Sequence, residues 1–349
     1  MTRRKINLAL QGGGAHGAFT WGALDRLLDE DQVDIEGISA TSAGAMNAAA
    51  LKHGWMTGGS DGAKKSLADF WLRLAGLDAS IPDPVMDWLR VVSPAPDVIA
   101  RALEFNPAVI ASDAMTRVLS PYQFNPVNYH PLRSIVDDLL DFENVCAVEG
   151  PKLFVTATHV KSGKPRVFSG DGITTDAILA SACLPTLYQA IQIEDPKTGE
   201  MESYWDGGYM GNPALFPLFY NTESPDILIV HINPLERDDL PHTSTEILNR
   251  INEISFNASL LRELRAIDLV NRLTEQGIIE KGRMKHHFIH SVRDDAFMSQ
   301  LGIATKITPN KALLLQLHDA GHMAMDTFLR EHWKDLGQRN SVDLRAMFS

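Results

Sequence analysis

Cysteine is scarce in this sequence. Cys146 and Cys183 are the only two, too few for a disulfide framework or a thiolate zinc site, and such usage suits a reducing, cytoplasmic compartment. Long apolar runs are lacking as well. No stretch reaches the roughly 18 consecutive apolar residues of a spanning helix, so contact with lipid, if there is any, is expected to be peripheral. Basic residues are outnumbered, 32 Lys and Arg against 44 Asp and Glu, for a formal net charge of −12. That balance argues against a nucleic-acid partner, because phosphate neutralisation needs a basic surface. Short basic clusters such as "MKHHFIH" at 284–290 read instead as a strand with a solvated edge. The opening "MTRRKINLAL" has the basic start of an export signal, but its apolar run stops at Gln11 and meets glycines, so a leader of that kind is not expected.

What is present describes a globular chain. At 349 residues and 44% hydrophobic content it can bury a sizeable core. Residues 5–10, "KINLAL", read as a buried strand, and "GAFTWGALDRLLDE" has helical spacing at Phe19, Leu24, Leu27 and Leu28. A second unit repeats the order: "IEGISA" (35–40) as strand, "TSAG" (41–44) as a sharp turn, and "AMNAAALKHG" as a helix closed by Gly54. Alternating strand and helix predict a parallel sheet covered by helices. From about 61 to 142 the chain reads as a helical insertion, with prolines at 82, 84, 94, 96, 107, 121, 126 and 131 breaking it up. Strand signals return at "KLFVTATHV" (152–160), "PRVFS" (165–169) and "DILIVHINP" (226–234), with the helix "TTDAILASACL" ended by Pro185.

A C-terminal helical region occupies about 243–349. Its first helix, about Thr243 to Glu275, carries Ile247, Ile251, Ile254, Ala258, Leu261, Leu264 and Leu269 near helical spacing, and a further one runs from about 310 to 334. Packing on the sheet explains the pattern better than a membrane-surface helix does. The whole is expected to be one domain.

Three local patterns carry chemistry. Residues 12–17, "GGGAHG", satisfy G-x-G-x-x-G between a strand and a helix, as a dinucleotide site requires. Against that reading, Asp34 and Glu36 fall before or at the start of the second strand, which runs instead into Ser42. A P-loop is excluded because Ala18 and Phe19 follow Gly17 where Lys and Ser or Thr are needed. In "ISATSAGAMNA" Ser42 sits between strand and helix among Ala40, Ala43 and Gly44, a nucleophile elbow in all but its first glycine. Alone it would be a helix N-cap. The upstream N–H groups of Gly12, Gly13, Gly14 and Ala15 suit the oxyanion that serine attack on an ester creates. In "SYWDGGYMGNPAL" Asp206 precedes Gly207 and Gly208; alone it reads as a turn, and beside an elbow it becomes a candidate base.

Histidine bases rank lower. His231 ends a strand, while His318 and His322 lie one helical turn apart around Asp319. Without the Glu of H-E-x-x-H or a third ligand, that pair reads as a surface helix, and no metal is expected.

Taken as a set, these residues resemble the patatin-like phospholipase family over roughly residues 5–232. Its glycine-rich loop matches Gly12, Gly13, Gly14 and Gly17, its elbow Ser42 and Gly44, and its D-G-G motif Asp206, Gly207 and Gly208. "ASACLP" (180–185) and Asn212-Pro213 are similar to further family blocks. The resemblance implies a three-layer α/β/α fold and a Ser-Asp dyad hydrolysing acyl esters of lipids. Such a reaction needs no cofactor, and calcium dependence is not expected because the sequence has no clustered carboxylate loop. Ala40 replaces the first elbow glycine, and His16 stands where the family usually carries Arg or Lys. Two other classes stay open: a dinucleotide-binding oxidoreductase, and a lipid-binding or regulatory protein with an idle dyad.

Overall fold

The computed structural model describes residues 3–76, 93–237, 240–280 and 282–348. At its centre lies a mixed, mostly parallel sheet in the order β5-β6-β3-β2-β1-β7-β8, with β4 paired to β3 off that path. The strands are β1 (Arg4–Leu10), β2 (Val33–Ala40), β3 (Lys152–His159), β4 (Lys164–Ser169), β5 (Ile191–Glu194), β6 (Met201–Asp206), β7 (Asp226–Val230) and β8 (Phe288–Val292). The β1–β2, β1–β7, β2–β3 and β7–β8 pairings are parallel; β3–β4, β3–β6 and β5–β6 are antiparallel.

Helices α1 (Gly17–Leu27) and α2 (Ala43–Leu74) follow β1 and β2. Before β3 come α3 (Pro96–Glu104), α4 (Pro107–Val118), α5 (Pro121–Phe124), α6 (Pro131–Leu139) and α7 (Phe142–Cys146). Then α8 (Thr175–Ser181) follows β4, α9 (Phe216–Asn221) precedes β7, and α10 (Ser244–Glu275) precedes β8. The chain ends with α11 (Asp295–Met298), α12 (Ile303–Ile307), α13 (Lys311–His332) and α14 (Leu344–Phe348). Among the described residues no helix is long and apolar enough to cross a membrane.

Both faces of the sheet are covered, which is why its central strands are almost wholly apolar. Ile6, Leu8 and Leu10 of β1 and Leu228 and Val230 of β7 pack with α1, α2, α8 and α13. Their alternate neighbours Ala9, Ile227 and Ile229 pack on the other face with Leu215, Leu218, Leu260 and Leu264. This is the three-layer α/β/α arrangement. Strand alternation divides one run of residues between two cores.

Several local expectations are corrected. The prolines at 96, 107, 121 and 131 start helices rather than break them, since proline's missing N–H is unneeded in a first turn; Pro82 and Pro84 lie outside the described residues. Gly54 does not close its helix. The α2 span continues to a kink at Gly58 and Gly59 and then to Leu74, and Gly54 and Gly62 let the two arms touch backbone to backbone. The basic cluster forms a strand only from Phe288, and His287 and His290 are buried rather than solvated. His290 Nε2 lies 2.9 Å from Asp226 Oδ1, which compensates its burial.

The α10 pattern also resolves differently from its apolar periodicity. Leu260, Leu264 and Ile267 face the sheet, but in the first half Ile247, Ile251 and Ile254 are exposed while Asn249, Glu253 and Asn257 are buried. A polar network beneath that half accounts for the inversion.

Helices α1 and α13 cross in backbone contact. A methyl group at Gly22 would overlap the His318 carbonyl oxygen, and one at Gly321 the Phe19 carbonyl oxygen. Gly22→Ala and Gly321→Ala should each destabilise by about 1–3 kcal/mol, the usual cost of overpacking. Gly172→Ala, which meets open space, should stay within about 0.5 kcal/mol of the parent. Denaturant midpoints of the three variants measure the difference.

Candidate active site

The pairing of β3 brings two distant segments together. Val155 pairs with Ala40 of β2 and Phe168 of β4, and Ala157 pairs with Asp206 of β6 and Arg166 of β4. A strand has only two edges, so β2 and β6 must lie end to end along the edge opposite β4. Both chain segments leave the sheet at Thr156, one into Thr41 and Ser42, the other into Gly207 and Gly208. A methyl group at Gly207 would overlap Thr156 O and stand 2.9 Å from Thr41 Cγ2, so the contact leaves room for glycine alone.

Ser42 sits at φ 54°, ψ −124° as the residue before α2. A positive φ is uncommon for a residue with a Cβ and must be held by its surroundings. The Ser42 N–H donates to Ser181 Oγ at 2.9 Å, and Ser181 Oγ–H donates to Thr156 O at 2.6 Å. Thr41 Oγ1 donates to Gly211 O at 2.7 Å. Gly44 admits the Leu10 carbonyl, and Asn47 Nδ2 ties the start of α2 to α1 through Gly17 O at 3.0 Å. Ala40, in place of the usual first glycine, is buried at the end of β2 without disturbing its pairing with Leu10 or Val155.

Asp206 is 1% exposed and Ser42 7%. The Asp206 backbone is fixed by N–H donation to Cys183 O at 2.8 Å and by Thr158 Oγ1 donating to Asp206 O at 2.8 Å. Its Oδ1 accepts from Gly208 N at 2.7 Å, while Oδ2 has no hydrogen bond of good geometry. Burial pushes the carboxyl pKa up to about 7 against the opposing effects of the Gly208 N–H and the neighbouring Ser42 hydroxyl.

The glycine loop lies against the elbow. A methyl group at Gly12 would stand 2.5 Å from Ser42 Cβ and 2.8 Å from Thr41 O. What approaches this loop so closely is therefore protein. The Gly12 N–H donates to Asn212 Oδ1 at 2.6 Å, which removes Gly12 from the expected oxyanion donors. The N–H groups of Gly13, Gly14 and Ala15 have no acceptor among the described residues, as befits the opening turn of a 3-10 helix. Gly14 adopts φ +60°, with the Lys306 carbonyl against its Cα.

His16 is buried and does not reach outward. Its Nε2 lies 2.8 Å from Thr305 Oγ1, whose own hydrogen goes to Gly302 O at 2.7 Å, so Nε2 carries the proton. Burial, with the Lys306 and Arg237 charges, holds its pKa well below the ordinary value and the ring is neutral.

Behind the loop is a polar cluster that the sequence reading missed. Gln11 Oε1 accepts from Ile232 N at 3.0 Å and Asn233 N at 3.1 Å, and Gln11 Nε2 donates to Asn257 Oδ1 at 3.2 Å. Glu253, wholly buried, receives Arg237 at 2.9 and 2.6 Å and Arg250 at 3.3 Å. Burial would raise the Glu253 pKa, but the Arg237 bonds, the Lys306 charge and Arg250 outweigh it and hold the group ionised. Only the spacing of Asn249, Glu253 and Asn257 hinted at such a face.

The three histidines weighed as alternative bases lie elsewhere in the fold or lack partners. Burial drives the His231 pKa down to about 3, and neither ring nitrogen is hydrogen-bonded. His318 packs on Trp21 at 4.2 Å between ring centroids, with Asp25 at 3.7 Å and Asp319 at 3.0 Å, an ion-pair station between α1 and α13. His322 lies 6.2 Å from it, ring to ring. Among the described residues no three His, Cys, Asp or Glu side chains converge as a metal site.

Comparison with known proteins bears on this assembly. No curated protein matches the sequence. Among solved structures, VipD from Legionella pneumophila aligns over 94% of this chain and 67% of its own, at 14% identity and a TM-score of 0.42. The family model described as Patatin-like phospholipase matches residues 8–219, a span that holds the glycine loop, the elbow and the D-G-G turn, and the chain belongs to the patatin-like phospholipase family.

Proposed function

We propose that this protein is a serine acyl hydrolase of lipid esters in which Ser42 is the nucleophile and Asp206 its base. Membership of the family supports lipid acyl hydrolysis in general. The observation that carries the finer reading is Asp206 itself, buried against Ser42 with no partner among the described residues beyond the Gly208 N–H and the Ser42 hydroxyl, and with its pKa raised to about 7. An aspartate in water, with a pKa of about 3.9, is a poor proton acceptor for an alcohol; desolvation raises its basicity toward the working range.

In the reaction the Ser42 hydroxyl passes its proton to Asp206 as its oxygen adds to the ester carbonyl. The N–H groups of Gly13, Gly14 and Ala15 receive the oxyanion, and the positive end of α2 adds to the same field. The leaving alcohol takes the proton from Asp206. Water, deprotonated by the same carboxylate, then releases the fatty acid and restores Ser42. A nucleotide at the glycine loop draws no comparable support, because Gly12 and Gly14 are met by Ser42 and Lys306. The chain's contact with lipid is proposed to be peripheral and its setting cytoplasmic.

Turnover of one ester by four variants tests the dyad. Ser42→Ala should abolish turnover and labelling by a fluorophosphonate. Asp206→Asn should lower kcat on the order of 10²-fold or more, while His231→Gln and His318→Gln should change it little. A fully active Asp206→Asn, or one histidine whose loss equals that of Ser42→Ala, overturns the assignment.

Asp206 also makes a stability prediction independent of activity. Its folded pKa of about 7 lies above the unfolded value, so protonation favours the folded chain at low pH and that advantage is lost as pH rises through 7. Kinetically the base must be ionised, so kcat/KM should fall with an apparent pKa near 7 on the acid side. Asp206→Asn should therefore melt several degrees above the parent at pH 8, with the gap closing toward pH 4. Comparing variant with parent cancels Glu263, whose pKa burial also raises to about 7.

A further inference from the structure

The stretch that matches the family ends at residue 219, yet one wall of the glycine loop is built from residues 233–306. Gly12 is held on both polar atoms. Its N–H goes to Asn212 Oδ1 at 2.6 Å, and its carbonyl accepts Asn233 Nδ2 at 2.7 Å and, more weakly, Asn212 Nδ2 at 3.3 Å. On its other side Asn233 Oδ1 accepts from Lys306 Nζ at 3.2 Å. Lys306 Nζ stands 3.8 Å from Glu253 Oε1, and Glu253 is bound twice by Arg237, which also donates to Leu301 O at 3.1 Å just before α12.

Two rules of local chemistry turn this chain of contacts into a device. An ammonium group only donates, so Lys306 obliges Asn233 to present its oxygen there and its NH2 to Gly12. A trans peptide unit points its carbonyl and the following N–H in opposite directions. Fixing the Gly12 carbonyl toward Asn233 thus fixes the Gly13 N–H away from it, in the loop that abuts Ser42.

We infer that Asn233, oriented by Lys306, is a positioning residue that aims the Gly13 N–H at the developing oxyanion. The inference rests on the hydrolase reading above. It gives α12 a second purpose beyond packing. Its Lys306 carbonyl supports Gly14, its Thr305 hydroxyl holds His16, and its Lys306 side chain sets the Asn233 amide. Asn233 Nδ2 also reaches Gln11 Oε1 at 3.3 Å, a weaker hold on the same orientation; without the ammonium that hold is left to oppose a turn of the amide oxygen toward Gly12, where two carbonyl-type oxygens would repel one another.

The test is a double-mutant cycle on kcat and KM with a soluble ester, run beside Ser42→Ala, with folding followed by thermal melts. Asn233→Ala should lower kcat by about 10-fold or more, within the range for an oxyanion donor put out of place, and leave KM nearly unchanged. Lys306→Met should do the same to a smaller degree. Because Lys306 acts through Asn233, the double variant should be no slower than Asn233→Ala. Asn233→Asp, which keeps the shape and the Lys306 contact but replaces the donor with an acceptor, should be as slow as Asn233→Ala; it decides the matter even if Lys306→Met fails to fold. Multiplying losses in the double variant, a loss confined to KM, or an Asn233→Asp enzyme as fast as the parent overturns the inference. If Ser42→Ala is itself fully active, the hydrolase reading fails first, and the two failures are told apart.

Discussion

Two strands ending against one edge of β3 are the constraint from which the site follows. Because β4 occupies the other edge from Phe154 to His159, β2 and β6 must share what remains, and neither can extend past Thr156 without displacing the other. Both chains therefore turn out of the sheet at one point. Their backbone groups lose ladder partners there and find others: Ser181 for the Ser42 N–H, Cys183 for the Asp206 N–H, Thr158 for the Asp206 carbonyl. Accounting for those groups explains why small hydroxyl and glycine residues crowd the junction.

Burial acts on the charges around this junction in two opposite ways, and the number of partners decides which. Asp206 has one backbone N–H and a serine hydroxyl, too little to offset desolvation, and its pKa rises to about 7. Glu253 is equally buried but meets Arg237, Arg250 and Lys306, and stays ionised. Lys306 pays the complementary penalty, its pKa lowered to about 8 by burial despite Glu253. A responsive carboxylate thus faces the serine, while a saturated ionic cluster stiffens the loop behind it. Removing one member of such a cluster strands the others without solvent, which makes it a rigid support.

The candidate site was legible in the sequence because its signals are local. Glycines next to a strand end, a serine on a strand-to-helix turn and an aspartate before two glycines each declare themselves within a few residues, and β1, β2, β3 and β7 announce themselves as apolar runs. The remainder depends on contacts across the chain. β5 and β6 were not foreseen, since "IQIE" alternates over only four residues and "MESYWD" is short, charged and without alternation; only the pairing of β6 with β3, and of β5 with β6, makes them strands. In α10 apolar periodicity pointed to Ile247, Ile251 and Ile254, but a buried Glu with two arginines outcompetes three isoleucines for the inner face. Gly12 looked like an oxyanion donor until its N–H met Asn212, 200 positions away.

The same distances show why residues 8–219 would make a poor unit by themselves. β1 is central only because β7, at 226–230, pairs along its second edge from Asn7 to Leu10. Without β7 that edge would be open directly below Gln11 and Gly12, and the Gln11 carboxamide would lose Ile232, Asn233 and Asn257 together. An exposed edge strand leading into three glycines has little to hold one conformation, since each glycine gives up more backbone freedom on ordering than any other residue. The motifs carry the candidate dyad and the glycine loop, but the rigidity of that loop comes from the chain that follows them. A loop chosen for close approach must be held by something else, and here that is β7, α10 and α12.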